Sequence, residues 1–174
     1  DKGALGFTPS YSMHPLIARV TNTSWIDGRR REDFSLDFEI AKSDIAQAKP
    51  ALTFITTPNN PTGSTVTIAE IEELTKVVPG LLVVDEAYAE FSDEVSAVTL
   101  IKKYPHVVVI RTMSKAFSFA GVRLGYLVAD KSVIDALKDG DVAVIPGMPE
   151  VDTVKVVDAA GYVTSTPERS ALRK

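Results

Sequence analysis

Short apolar runs alternate with helical patterns through most of this chain. Ala51–Thr56, Leu81–Val84 and Val107–Ile110 are brief, β-branched and bounded by turn formers, as strands are when a sheet is buried on both faces. Between the first two, Ile68, Ile71, Leu74 and Val78 recur at helical spacing, and Thr67 with Glu70 three residues on makes a capping box. The spacing predicts a helix over Thr67–Val77 and a second over Val95–Lys103, ended by Pro105. Strand, helix, strand, helix, strand with short connections predicts a parallel sheet of βαβ units. Leu124–Ala129 adds a strand and Ser132–Lys138 a short helix, while upstream Met13–Val20 reads as a helix and Ser24–Ile26 as a short strand. Gly28–Asp33, with three consecutive arginines, reads as a solvated charged loop.

Near Asp139 the rhythm changes. Asp141–Ile145 is strand-like, Val151–Val157 alternates, and Asp158-Ala-Ala-Gly161 leads into Tyr162-Val-Thr as a hairpin would. No internal repeat or low-complexity segment interrupts the 174 residues. The first residues, Asp1-Lys-Gly-Ala-Leu-Gly, suggest a fragment.

Composition narrows the chemistry. A formal net charge of −4 argues against a generic binder of nucleic acid or of membrane surfaces, and no apolar run approaches the length of a membrane span. Zero cysteines exclude disulfides, thiolate metal sites and cysteine nucleophiles, and two histidines make a histidine-rich metal centre or a Ser-His-Asp triad improbable. No metal is expected, and a cytoplasmic location is compatible with the cysteine count.

Three expected strands end in polar residues: Thr57-Pro-Asn-Asn-Pro-Thr-Gly63, Asp85-Glu-Ala-Tyr88 and Arg111-Thr-Met-Ser-Lys115. In a parallel sheet those ends share one edge, where ligands bind. Asn60, Asp85, Tyr88 and Lys115 would converge there although none is close to another in sequence. A lysine at the mouth of a buried strand is costly without a task or a partner. Schiff-base chemistry with a carbonyl cofactor suits it, with Thr112, Ser114 and Arg123 nearby to hold a phosphate. Each residue also has a structural reading. Asn59-Asn60-Pro61 is a common turn, Asp85 could cap a helix, Arg123 could form a surface ion pair, and Tyr11 and Trp25 could be core.

Three motifs together carry a resemblance: Pro58-Asn-Asn-Pro-Thr-Gly63, Val84-Asp-Glu-Ala-Tyr-Ala-Glu-Phe91 and Thr112-Met-Ser-Lys-Ala-Phe-Ser-Phe-Ala-Gly-Val-Arg123. Residues 5–138 resemble the fold type I pyridoxal-phosphate aminotransferases, specifically the histidinol-phosphate aminotransferases of actinobacteria. The resemblance implies an α/β fold: a partial large domain with a mainly parallel, helix-flanked sheet, here followed by a short β-rich tail. It implies pyridoxal 5'-phosphate as cofactor, with Lys115 as its Schiff-base lysine and Asp85 paired to the pyridine nitrogen. Asn60 and Tyr88 would bond the phenolic oxygen, Thr112, Ser114 and Arg123 the phosphate, and Tyr11 would stack on the ring. Amino-group exchange between histidinol phosphate and 2-oxoglutarate, a place in histidine biosynthesis and a homodimer are implied as well. The substrates are then a small-molecule amino donor and a 2-oxo acid.

The tail, residues 139–174, resembles something else. Asp141-Val-Ala-Val-Ile-Pro, Val151-Asp-Thr-Val-Lys155 and Thr166-Pro-Glu-Arg-Ser-Ala-Leu172 are similar to a segment of 2-C-methyl-D-erythritol 4-phosphate cytidylyltransferase, in which Thr153 and Arg169 match sugar-phosphate ligands. Two domains of different origin, 1–138 and 139–174, are therefore expected, and the aminotransferase part is expected to be incomplete. Two alternatives stay open: a non-catalytic fragment or composite scaffold, and a phosphate-sugar or nucleotide-binding piece governed by the tail.

Overall fold

The computed structural model describes residues 2–122 and 124–137, and the backbone alone of residues 143–145 and 154–157. In chain order the elements are β1 (Ala4–Thr8), α1 (Met13–Val20), β2 (Trp25–Arg29), α2 (Phe38–Ala48), β3 (Leu52–Thr56), α3 (Ile68–Thr75), β4 (Leu81–Asp85), β5 (Val107–Thr112), β6 (Gly125–Ala129), α4 (Lys131–Leu137), β7 (Ala143–Ile145) and β8 (Val154–Val157). Among the described residues the strands form one sheet, in the order β2-β1-β3-β4-β5-β6-β8-β7. Pairing is parallel from β2 through β5 and antiparallel from β5 onward. Thr56 pairs with Asp85 and Asp85 with Ile110, so β3, β4 and β5 reach one edge level with one another.

Side chains alternate across the pleat, which divides the core in two. Ile55, Leu82, Val84, Val107 and Val109 pack with Ile45 of α2 and with Ile71 and Leu74 of α3. Val83 and Val108 face the other way, with Ala129 of β6 and against Ile134 of α4. Covering both faces is why these strands read as unbroken apolar runs. The capping box of α3 is formed: the Thr67 hydroxyl accepts from the Glu70 amide, and the Glu70 carboxylate accepts from the Thr67 amide at 2.8 Å. Ile71 and Leu74 supply its buried stripe.

One core position works against the fold. Thr53 on β3 is fully buried and its hydroxyl has no hydrogen-bond partner. Valine keeps the shape and removes the unpaired group, so Thr53→Val is expected to raise the unfolding free energy by about 1 kcal/mol. Urea titration should show a higher midpoint at unchanged slope. A lower midpoint would mean that the hydroxyl finds a partner in solution.

Several expectations needed correction. Val95–Lys103 is no α-helix; only Ala97–Leu100 winds, as a 3₁₀ turn. The Ser96 hydroxyl accepts from the Val98 amide and Thr99 and Ile101 bond three residues back, while a four-residue bond, from the Tyr104 amide to the Leu100 carbonyl, comes directly before Pro105, which has no amide to extend it. The strand expected at Leu124–Ala129 is present as Gly125–Ala129, and it runs antiparallel to β5 because the chain returns through a hairpin connection instead of a helical crossover. Only the second half of Gly28–Asp33 is the solvated loop expected, with Arg31, Glu32 and Asp33 exposed outside the named elements. Gly28 and Arg29 belong to β2, and Arg30 donates to the carbonyls of Phe7 (3.3 Å) and Phe34 (3.2 Å). Burial lowers the Arg30 pKa from the usual arginine value. β1 and α2 were not anticipated, and the strand expected at Ser24–Ile26 is Trp25–Arg29.

The tail runs at Asp141–Ile145 and Val151–Val157 contain β7 and β8. The turn at residues 158–161, the run from Tyr162, and Thr153 and Arg169 lie outside the described residues, as does Arg123. No helix among the described residues is long and apolar enough to cross a membrane.

Candidate active site

A cavity of about 380 Å³ opens at the level edge formed by the ends of the parallel strands. Tyr11 reaches it from the β1–α1 connection and Asn60 from the loop after β3. Asp85 reaches it from the last position of β4 and Tyr88 from just beyond. Thr112 ends β5, and Ser114 and Lys115 follow in the hairpin loop. Seven of the eight candidate residues therefore line one space, and the eighth, Arg123, lies outside the described residues.

Asp85 is 5% exposed and fully engaged on its protein side. One carboxylate oxygen accepts from the Ala87 amide at 3.0 Å, and the other lies 3.0 Å from His14 Nε2. His14 is itself buried, stacks on Phe54 with 4.6 Å between ring centroids, and meets Tyr11 edge to face at 5.4 Å. It therefore ties the aromatic wall of the cavity to the carboxylate at its floor. Sequence reasoning treated His14 only as one of two histidines. The available signal was spacing, since a residue three positions after Tyr11 at a helix start shares its face.

The neighbouring carboxylate, Glu86, points the other way, as consecutive strand residues do. It accepts from Ser96 Oγ (2.8 Å), the Ala97 amide (2.7 Å), and Arg111 Nε (2.9 Å) and Nη2 (2.6 Å). Arg111 lines the cavity yet is committed: Glu86 holds it and Glu90 lies 3.5 Å away. Burial lowers its pKa, but the hydrogen bonds and charge of Glu86 outweigh that, so the net shift is upward. Arg111 is therefore a structural cation and a poor candidate for gripping an anion.

Lys115 corrects the reasoning that first singled it out. It is exposed, three residues past the end of β5, so a desolvation cost does not mark it. What marks it is position: its ammonium sits 5.3 Å from the centre of the Tyr88 ring. Close by, the Thr112 hydroxyl donates to the Leu124 carbonyl at 3.3 Å and accepts from the Ser114 amide at 3.1 Å. Ser114 Oγ is buried and has no hydrogen-bond partner. An orphaned hydroxyl on a cavity wall is a place where a ligand oxygen gains more than water would give it. The cavity thus offers an amine, an imidazole-held carboxylate, aromatic faces and an unpaired hydroxyl. Among the described residues no cluster of His, Asp or Glu is placed to hold a metal.

The family model for aminotransferase class I and II matches residues 1–145. The histidinol-phosphate aminotransferase of Mycobacterium ulcerans is 56% identical over 135 residues, which are 77% of this chain and 35% of that protein. Its counterpart in Mycobacterium leprae is 53% identical over 137 residues, 78% of this chain and 36% of that protein. Among solved structures, the histidinol-phosphate aminotransferase from Clostridium acetobutylicum superposes with a TM-score of 0.71 at 28% identity, covering 77% of this chain and 41% of that one. The histidinol-phosphate aminotransferase from Sinorhizobium meliloti, solved in complex with pyridoxal-5'-phosphate, gives 0.71 at 23% identity, covering 79% and 38%. The chain spans about a third of the length of the curated relatives it matches. With the family model covering most of its length and the expected sheet in place, the chain belongs to the aminotransferase class I and II family.

Proposed function

We propose that this chain contributes the cofactor site of a pyridoxal-phosphate-dependent aminotransferase acting between histidinol phosphate and 2-oxoglutarate. The observation that carries the reading is the convergence of Lys115, Asp85, Tyr88, Asn60 and Tyr11 on one cavity from four separate segments. Identity of 53–56% to histidinol-phosphate aminotransferases supports the choice of substrates.

The residues present fit the cofactor. Ser114 Oγ is an orphaned hydroxyl of a residue lining the cavity, and a phosphate oxygen would satisfy it; Arg123 would supply the cation, and the Thr112 hydroxyl would join by turning its proton from the Leu124 carbonyl. Asp85 would face the pyridine nitrogen, Asn60 and Tyr88 the phenolic oxygen, and Tyr11 the ring face. When bound, pyridoxal phosphate supplies an electron sink for the bonding pair left as the substrate α-proton departs. The chain's own residues do the rest. Asp85 places a negative charge where it favours a protonated ring nitrogen, and His14 fixes which oxygen it presents. Lys115 Nζ serves first as nucleophile toward a carbonyl and, once free, as the base that carries the proton from the substrate α-carbon. Tyr88 holds that amine over its ring, limiting the directions from which it approaches. The reading includes a homodimer: Phe117, Phe119 and Val122 stand exposed on either side of Ala120 at the cavity wall, and a second copy would cover them.

Incubation with pyridoxal phosphate, borohydride reduction and peptide mapping by mass spectrometry test the site directly. A pyridoxyl adduct confined to Lys115 is expected. Adducts scattered over many lysines, or none, would remove the reading.

A further inference from the structure

Asn59, next to the proposed cofactor ligand Asn60, faces away from the cavity and has no role in the chemistry above. It is 3% exposed. Its side-chain oxygen accepts from Ser10 Oγ at 2.7 Å, and its Nδ2 donates to the Pro9 carbonyl at 3.0 Å and to Thr62 Oγ1 at 2.7 Å. Both amide protons and the oxygen are thus used, and the orientation is fixed, because the flipped amide would set oxygen against the Pro9 carbonyl. The partners lie some fifty positions apart in sequence: Pro9 and Ser10 precede Tyr11, whereas Thr62 closes the turn that carries Asn60.

The contacts continue on both sides. Ser10 Oγ lies 3.0 Å from Thr56 Oγ1 at the end of β3. Thr62 Oγ1 lies 2.8 Å from Ser64 Oγ, which bonds the Phe34 carbonyl at 3.2 Å and receives Arg30 Nη1 at 3.3 Å. The backbone of the same loop is pinned through Asn59, whose amide donates to the Ser64 carbonyl at 2.8 Å and whose carbonyl accepts from Gly63 at 2.7 Å. Gly63 has a φ of +73°, a conformation glycine adopts without strain. Elsewhere Tyr11 is held by its carbonyl, which accepts from the His14 amide at 3.3 Å. It is 39% exposed, its ring contact is with His14, and Ser12 at the start of α1 makes no capping bond.

We infer that Asn59 is a positioning residue that latches the Tyr11 segment to the Asn60 turn, so that the aromatic ring and the amide facing the cavity are held as one unit. Its bearing on cofactor binding rests on the function proposed above; the latch itself does not. A buried, fully satisfied amide suits this task, since losing it leaves several polar groups unpaired at once.

Hydrogen–deuterium exchange on the whole chain tests the latch without any ligand. In Asn59→Ala, peptides covering residues 9–14 and residues 59–64 should both exchange faster, by about tenfold and by a similar factor. The core variant Leu74→Ala, which loosens the fold elsewhere, should not single out these two segments. Ser10→Ala removes one bond of the latch and is the gentler variant should Asn59→Ala fail to fold; it should loosen residues 9–14 with a smaller response at 59–64. Acceleration confined to 59–64, or no greater than in the rest of the chain, overturns the inference. Pyridoxal phosphate is then added. In wild type it should protect both segments together, and in Asn59→Ala its affinity should fall by about tenfold. If it protects neither segment in wild type, the proposed function fails, and the latch is decided by the ligand-free exchange alone.

Discussion

Replacing Lys115 with alanine will abolish borohydride-dependent capture of pyridoxal phosphate while leaving the fold essentially intact. The two effects separate because the lysine does little for stability. It is exposed, and its contact with the chain is a cation over the Tyr88 ring, worth about 0.5–1 kcal/mol at such a site. As a proton carrier its removal would cost on the order of 10²–10⁴-fold in rate, before the loss of the nucleophile is counted. Lys115→Arg is the decisive companion. A guanidinium keeps the cation over the ring but forms no imine, so adduct formation should vanish with stability unchanged. Persistence of the adduct in either variant would assign the chemistry to another amine.

Glu86→Ala should be among the most damaging substitutions in the sheet, with a loss of about 3 kcal/mol in unfolding free energy. The carboxylate is 3% exposed and receives four hydrogen bonds, two of them from Arg111. Removing it leaves a half-buried guanidinium with the more distant Glu90 and the Tyr126 side chain, and it releases Ser96 and Ala97, which anchor the 3₁₀ turn to the sheet. The lower end of the range for broken buried pairs applies, because the Arg111 side chain retains 21% of its accessibility. Against a total of about 5–15 kcal/mol for a typical domain, such a loss would bring unfolding within reach of mild denaturant. Glu86→Gln, which keeps an acceptor, should cost less. Glu86→Leu combined with Arg111→Met should recover much of the loss, since an apolar pair avoids desolvating either charge. A Glu86→Ala midpoint close to wild type would show that the ion pair contributes little.

What could be read from the sequence followed from where the physics is local. The capping box at Thr67 and the apolar runs of β3, β4 and β5 each announce themselves within a few residues. The convergence of Asn60, Asp85, Tyr88 and Lys115 then follows from parallel pairing alone. β1 was hidden by Gly6, which interrupts its apolar run. A Cβ there would lie 2.6 Å from the Trp25 ring, so the glycine is demanded by a neighbour nineteen residues away. α2 was hidden by a narrow stripe: Ala41 and Ile45 are buried, but Ile40 is 52% exposed and blurs the period. His14 and Asn59 were missed for a third reason, as their partners Asp85, Pro9 and Ser10 adjoin them only after the sheet forms.

The reversal at β5 has a consequence for how such a site can change. Segments 113–124 leave and rejoin the sheet at adjacent points, closed by the Met113 amide on the Leu124 carbonyl and by pairing of Thr112 with Gly125. A connection of that kind is a replaceable part. Doubling its length costs only about 0.6 kcal/mol of closure entropy, and no parallel strand shifts register to accommodate it. The proposed nucleophile, Lys115, is therefore mounted on an exchangeable cassette, whereas Asp85 is built into a strand hydrogen-bonded on both sides. Evolution, or a loop-grafting experiment, can vary the surroundings of the amine while the carboxylate stays where the sheet puts it.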